Sequence, residues 1–185
     1  GSKTHILITG ASSGIGASLA LLMAEKGYQV SACARRIAKL EALQALYPAI
    51  TPIQMDVSEQ NSVTAGMAAA VSENGQIDIA VLNAGIYQPV DASMFELSVY
   101  QQHMAVNYTG ILYCLDRLIP AMTARKAGHI AFMASVAGYR GLPRSAAYGP
   151  TKAAVQNLAE SMYFDLAPKG IKIQLINPGF VETEA

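Results

Sequence analysis

The chain of 185 residues is long enough for one domain with a core of its own. Apolar residues make up 52% of it and charged ones 14%, which excludes a disordered chain. Lys and Arg (13) balance Asp and Glu (13), and a net charge of zero offers no electrostatic footprint to nucleic acid or to an anionic membrane.

Short apolar runs rich in Val and Ile alternate with longer helical patterns. The first strand is expected over His5–Thr9 and leads into Thr9-Gly10-Ala11-Ser12-Ser13-Gly14-Ile15-Gly16. Glycine lets such a turn tighten and lets its N–H groups approach a pyrophosphate. The helix that follows, Gly14–Lys26, adds unpaired donors and the positive end of its dipole. Ser12 and Ser13 bring hydroxyls within reach of phosphate oxygens. Gly10-Ala11-Ser12-Ser13-Gly14 also fits the G-x-S-x-G elbow of serine hydrolases, but that elbow follows several strands and this one follows the first.

The second strand is Gln29–Ala34, and after it comes Arg35-Arg36. A site for NAD places a carboxylate at this strand end to hold the ribose 2′-hydroxyl. Here the position is Ala34, and two guanidinium groups follow that would bind a 2′-phosphate. NADP(H) is the expected cofactor. The bland reading, a solvated helix start, is weakened because positive charge opposes the dipole there.

A helix over Ala38–Tyr47, a strand over Ile50–Met55 and a helix over Ser58–Asn74 come next. Asp56-Val57 closes the third strand, either as an acceptor for an adenine amino group or as an ordinary turn Asp. The fourth strand, Ile77–Asn83, ends in Asn83-Ala84-Gly85, small enough for a cofactor to pass over the sheet edge. A long helix over Ser98–Arg125 follows, with Ser98 and Gln101 as its capping box. Inside it, polar Asn107 interrupts an apolar pattern, to hold a water that links to Lys152 or simply to bend the helix. The fifth strand, His129–Ala134, leads to Ser135, which either hydrogen-bonds a substrate oxygen or caps the strand end.

The last helix spans Ala147–Ala167 and begins with Tyr148 and Lys152, four residues apart and so on one face. Pro150 between them is tolerated in the first turn. Tyrosine, with a pKa of about 10, needs roughly 4 kcal/mol of help to act as a base near pH 7. The Lys152 ammonium and the positive ring of the oxidised cofactor are expected to supply it by favouring the phenolate. The sixth strand is Lys172–Asn177. Gly27, Gly75, Gly128 and Gly170 each follow a helix, where a left-handed C-cap is wanted. Nearly continuous apolar strands alternating with helices predict an α/β fold, a doubly wound parallel sheet in the order 3-2-1-4-5-6 with helices on both faces.

Taken together, T-G-x-x-x-G-I-G, N-A-G, a helical Asn, Ser135, Y-x-x-x-K and a late P-G resemble the short-chain dehydrogenase/reductase family in its single-domain branch, along the whole chain. The resemblance implies a Rossmann-type fold and hydride transfer between NADP(H) and a carbonyl or alcohol. It implies a catalytic tetrad of Asn107, Ser135, Tyr148 and Lys152, with Tyr148 as the general acid/base. It also implies that Lys152 binds the nicotinamide ribose, that Pro178-Gly179, Val181 and Thr183 contact the nicotinamide end, and that the substrate is a small molecule. A sensor or scaffold module that binds NADP(H) without turnover is the alternative, and an epimerase or dehydratase a third. Members of that family continue beyond Thr183, so the chain is expected to be truncated at its C-terminus. Gly1-Ser2 reads as a tag scar and residues 3–185 as one domain.

Val136, Tyr87, Leu142, Pro143 and Phe180 are expected on the substrate side. Arg140 and Arg144 stand ready for an acidic group or as plain surface charge. Ile111, Leu115, Leu118, Leu158 and Met162 are expected to face a partner subunit in a homodimer or homotetramer. Cys33 and Cys114 read as buried free thiols, and His5, His103 and His129 have no metal spacing. No apolar run reaches membrane-spanning length or has the flanks of a secretory signal, and a cytoplasmic location is expected.

Overall fold

A computed structural model describes residues 3–178. Six strands, β1 (His5–Thr9), β2 (Gln29–Ala34), β3 (Ile50–Gln54), β4 (Ile79–Leu82), β5 (Gly128–Met133) and β6 (Ile171–Ile176), form one sheet in the order β3-β2-β1-β4-β5-β6. Every neighbouring pair is parallel. The helices are α1 (Gly14–Glu25), α2 (Ile37–Leu46), α3 (Gln60–Asn74), α4 (Leu97–Met104), α5 (Gly110–Arg125) and α6 (Gly149–Leu166).

Side-chain alternation along the strands explains why the runs are apolar throughout. Leu7, Cys33, Ala80, Ile130 and Phe132 point to one face and pack against Val63 and Met67 of α3, Leu115 and Leu118 of α5 and Val155 of α6. Ile6, Ile8, Val30, Ala32, Val81 and Ala131 point to the other, against Ala20 of α1 and Leu40 of α2. A strand covered on both sides leaves few positions for a polar residue, and His5 of β1 and Ser31 of β2, both buried, are hydrogen-bonded to each other.

α4 and α5 are not one uniform helix. Between them Ala105–Thr109 forms a π-helical turn around the buried Asn107. The expected capping box is also absent: α4 begins one residue earlier, with Glu96 at its N-cap and no side-chain cap. α5 closes on Lys126 in the left-handed conformation (φ 53°), while Gly128 is the first residue of β5. The expected subunit-facing residues turn inward. Ile111, Leu115 and Leu118 are core, and Leu158 and Met162 pack against that core. Their stripe marks the buried side of α5 and α6, and the exposed large apolar residues of these helices are Leu112, Tyr163 and Phe164.

Cys33 and Cys114 are free and buried. Burial pushes the Cys114 thiol up to about 12 and the Cys33 thiol higher still. Among the described residues no helix is long and apolar enough to cross a membrane.

Candidate active site

The site lies at the C-terminal ends of β1, β2, β4 and β5, the edge where an open parallel sheet accepts ligands. Thr9 closes β1, and its Oγ1 accepts the backbone N–H groups of Asn83 and Ala84, both at 3.0 Å. Asn83 Nδ2 donates to Gly10 O at 3.1 Å. These bonds clamp the glycine turn to the end of β4, so Asn83 supports the turn as well as lining the groove.

The clamp leaves no room for side chains. Gly10 has φ +64°, and a Cβ on it would lie 2.8 Å from Ala84 Cα. A Cβ on Gly16 would lie 2.1 Å from Gly10 O. Gly14 also has positive φ (+57°), but nothing stands within 4 Å of its open side. Ser13 is the N-cap of α1 without a side-chain cap, so the donors of the first helical turn face that open side. An open space bounded by helix N–H groups and by glycines suits a pyrophosphate, so the residues present fit a dinucleotide.

A groove of about 540 Å³ runs from this turn along the sheet edge. Gly10, Ser12, Ser13, Ile15, Arg35, Arg36, Asp56, Val57, Asn83, Ala84 and Gly85 all line it. Lys39, Met55, Ser58, Ile86, Gln102 and Val106 line it too and were not anticipated. Lys39 had a signal, since it extends the Arg35-Arg36 charge by one turn of α2. Arg35 and Arg36 are exposed, and among the described residues neither is in an ion pair. Asp56 Oδ1 accepts from Ser58 N–H (3.0 Å) and Ser58 Oγ (2.7 Å), so it closes a turn in addition to facing the groove.

Tyr148 stands at the N-cap of α6 and is half-buried. Its carbonyl accepts from Thr151 Oγ1 (2.6 Å), Thr151 N–H (3.0 Å) and Lys152 N–H (3.2 Å), which fixes the start of the helix. The Tyr87 ring meets it edge-on. Lys152 is 6% exposed, lies 5.8 Å from the Tyr148 ring centroid and donates to Met133 O at 3.2 Å. Burial brings its ammonium down to about 8. Ser135 follows β5. Its Oγ accepts from Ala137 N–H at 3.2 Å, and its backbone N–H donates to Gln156 Oε1 at 2.9 Å.

The expected depression of Tyr148 is reversed in this state. Burial raises its pKa, Ser135 pulls it down by hydrogen bonding, and Tyr87 raises it further. The Lys152 ammonium faces Met133 O and does not lower the phenol, so desolvation of the phenolate prevails.

Asn107 is buried in the π-helical turn and bonded through both ends of its amide. Its Oδ1 accepts from Ile86 N–H (2.8 Å), and its Nδ2 donates to Ile86 O (2.9 Å) and Thr151 Oγ1 (3.1 Å). Both amide hydrogens are engaged within the protein, so the side chain is a buried strut. It joins the groove wall at Ile86 to α6 between Tyr148 and Lys152.

Around this cluster, Tyr87 and Val136 are exposed. Leu142, Arg140 and Arg144 line a second groove of about 520 Å³ with Val90 and Pro150, and Tyr148 is not on its wall. Pro178 is the last described residue; Gly179, Phe180, Val181 and Thr183 lie outside the described residues. His103 Nε2 accepts from Gln88 N–H at 3.0 Å, while His129 pairs with Gln174 and His5 with Ser31, each at 2.7 Å. Gln156 and Thr151 were missed. The four-residue stride Tyr148, Lys152, Gln156, polar on a buried face, was the available signal for Gln156.

A family model described as short chain dehydrogenase matches residues 4–185. An uncharacterized oxidoreductase of Myxococcus xanthus (strain DK1622) is 36% identical over 96% of this chain and 72% of its own length. A dehydrogenase/reductase SDR family protein 7-like of Drosophila melanogaster is 35% identical over 97% of this chain, which spans 57% of that relative. Among solved structures, ElxO with NADP bound superposes with TM-score 0.89 at 29% identity, covering 95% of this chain and 73% of that one. The closed form of serine dehydrogenase complexed with NADP+ gives TM-score 0.89 at 27% identity, covering 94% and 71%. The chain belongs to the short-chain dehydrogenase/reductase family and is an oxidoreductase of that family.

Proposed function

We propose that this protein moves hydride between NADP(H) and a carbonyl or alcohol of a small molecule, with Tyr148 as general acid/base. The observation that carries the reading is the Asn107 strut, which ties the dinucleotide groove to the helix that bears Tyr148 and Lys152. When bound, the cofactor supplies or accepts the hydride. Ser135 Oγ holds the substrate oxygen, and the Tyr148 hydroxyl gives that oxygen a proton in reduction or takes one in oxidation. A phenol raised by burial keeps its proton, which suits the reducing direction. Lys152 holds the end of β5 through Met133 O and presents its ammonium toward Tyr148 and the ribose of the cofactor.

NADP(H) rather than NAD is supported by the unpaired Arg35 and Arg36, joined by Lys39, at the groove and by Ala34 where a carboxylate would repel the 2′-phosphate. Exposed Tyr87 and Val136 beside the cluster favour an apolar or aromatic substrate. Assembly as a homodimer or homotetramer through α5 and α6, using Leu112, Tyr163 and Phe164, and a cytoplasmic location complete the proposal. A strictly monomeric mass in solution would remove the assembly.

The test is a pair of titrations, NADPH against NADH, followed by turnover of wild type and Tyr148→Phe on a panel of ketones and aldehydes. NADPH is expected to bind at least ~10-fold tighter, a difference of about 1.4 kcal/mol. Tyr148→Phe is expected to bind it equally well and to lose ~10²- to 10⁴-fold in turnover. An active Tyr148→Phe enzyme overturns the assignment.

A further inference from the structure

Gln156 is a buried polar residue of α6 with no part in the chemistry described above. It lies four residues beyond Lys152 and eight beyond Tyr148, so the three share one face of the helix. It is 3% exposed, and an amide is kept at such a depth only when it is hydrogen-bonded.

Its partner is the backbone of Ser135. The pairing of β5 with β4 ends at Phe132, and that with β6 ends at Met133. Ala134 N–H still reaches Ile176 O at 2.7 Å. The N–H of Ser135 is past both ladders, and Gln156 Oε1 accepts it at 2.9 Å. One turn earlier on the same helix, Lys152 grips Met133 O. Side chains from two successive turns of α6 thus hold the last residue of β5 and Ser135, two residues beyond it. The other side of the amide is closed by the loop, where a Cβ on Gly138 would lie 2.6 Å from both Oε1 and Nε2 of Gln156.

We propose that Gln156 is a positioning residue: by fixing the Ser135 backbone it aims Ser135 Oγ at the substrate oxygen beside Tyr148. The proposal rests on the role given above to Ser135. Gln156 lines neither groove, so its loss is expected to fall on turnover and to leave cofactor affinity in place.

The test uses the full chain with Gln156→Met, which keeps the bulk but not the acceptor, and Gln156→Glu, which keeps the acceptor. Amide hydrogen exchange at Ser135 is read first, because it needs no activity. In Gln156→Met this amide is expected to exchange at least ~10-fold faster, with the Ala134 amide unchanged. Gln156→Glu is expected to restore protection. Turnover in Gln156→Met is expected to fall ~10- to 100-fold, with NADPH affinity as in wild type. Combining Gln156→Met with Ser135→Ala is expected to cost no more than Ser135→Ala alone, because the two act as one unit. A protected Ser135 amide in Gln156→Met, or losses that multiply in the double variant, overturns the proposal. Should Gln156→Met fail to fold, Gly138→Ala displaces the amide from the loop side and must speed the same exchange; an unchanged rate overturns the proposal. A fully active Ser135→Ala enzyme refutes the role of Ser135, whereas the exchange result decides the clamp by itself.

Discussion

The rings of Tyr87 and Tyr148 meet edge to face, with centroids 5.1 Å apart and planes at 74°. Burial raises the pKa of the Tyr148 phenol, and the Coulombic influence of Tyr87 beside it raises it further. Tyr87→Ala is expected to lower it. Reduction requires the protonated phenol, so activity fades as pH rises through that pKa. The alkaline limb of kcat/KM for carbonyl reduction should move to lower pH in Tyr87→Ala. An unmoved limb in the pH–rate profile would show that Tyr87 does not shape the acid.

Arg35 and Arg36 are the expected ligands of the 2′-phosphate. Hydrogen bonds to a charged group contribute about 1.5–3 kcal/mol. Arg35→Ala with Arg36→Ala should therefore weaken NADPH by ~10- to 100-fold and leave NADH unchanged. Calorimetric titration of both dinucleotides is the check. Parallel losses for the two would mean that the arginines do not sense the phosphate.

Gly16→Ala and Gly14→Ala separate two uses of glycine in one turn. The new Cβ at 16 would lie 2.1 Å from a backbone oxygen that cannot move away, so the turn must distort. Gly16→Ala should cost ~1–3 kcal/mol in urea unfolding and should weaken NADPH. At position 14 the space is open and only the positive φ is strained, a penalty of about 1–2 kcal/mol. NADPH bound by Gly16→Ala as tightly as by wild type would contradict the close approach of Gly10 and Gly16.

Lys152 carries its charge in a buried place, and its pKa falls from 10.5 to about 8. Between these values the unfolded chain holds a proton that the folded chain has lost. Unfolding free energy should therefore rise as pH rises from about 8 to 10.5, and the contribution is lost again as pH falls through 8. The full span corresponds to an upper limit of about 3 kcal/mol. Lys152→Met should be more stable than wild type at pH 7, should lack that alkaline rise, and should be inactive. Urea melts of both proteins at neutral and alkaline pH decide it. A Lys152→Met protein less stable at neutral pH would mean that the Met133 bond outweighs the buried charge.

Much of this architecture was legible because burial on both faces leaves a simple trace. The strands at His5–Thr9 and Gln29–Ala34 begin and end where the sequence places them. The run from Ile77 is longer than its strand, because pairing with β1 starts only at Ile6↔Ile79. The groove residues were legible from type and spacing, since a phosphate needs N–H groups and a turn needs glycine. Periodicity could not tell which side an apolar stripe faces, so Leu115 and Leu118 were expected at a subunit boundary and form the core. Nor could it reveal that Asn107 would use its amide on Ile86 and Thr151, 21 and 44 residues away in the chain. Such contacts exist only once the sheet is assembled.

The π-helical turn at Ala105–Thr109 takes in one residue more than an α turn would. One residue of helix is a rotation of about 100°. α4 and α5 therefore form a single rod whose halves keep separate angular phases, one set by the groove wall and the other by the core. Removing any single residue from this turn would force a choice between them: either Leu115 and Leu118 swing toward solvent, or Asn107 leaves Thr151. The length of this segment is thus as tightly constrained as the amide of Asn107 within it.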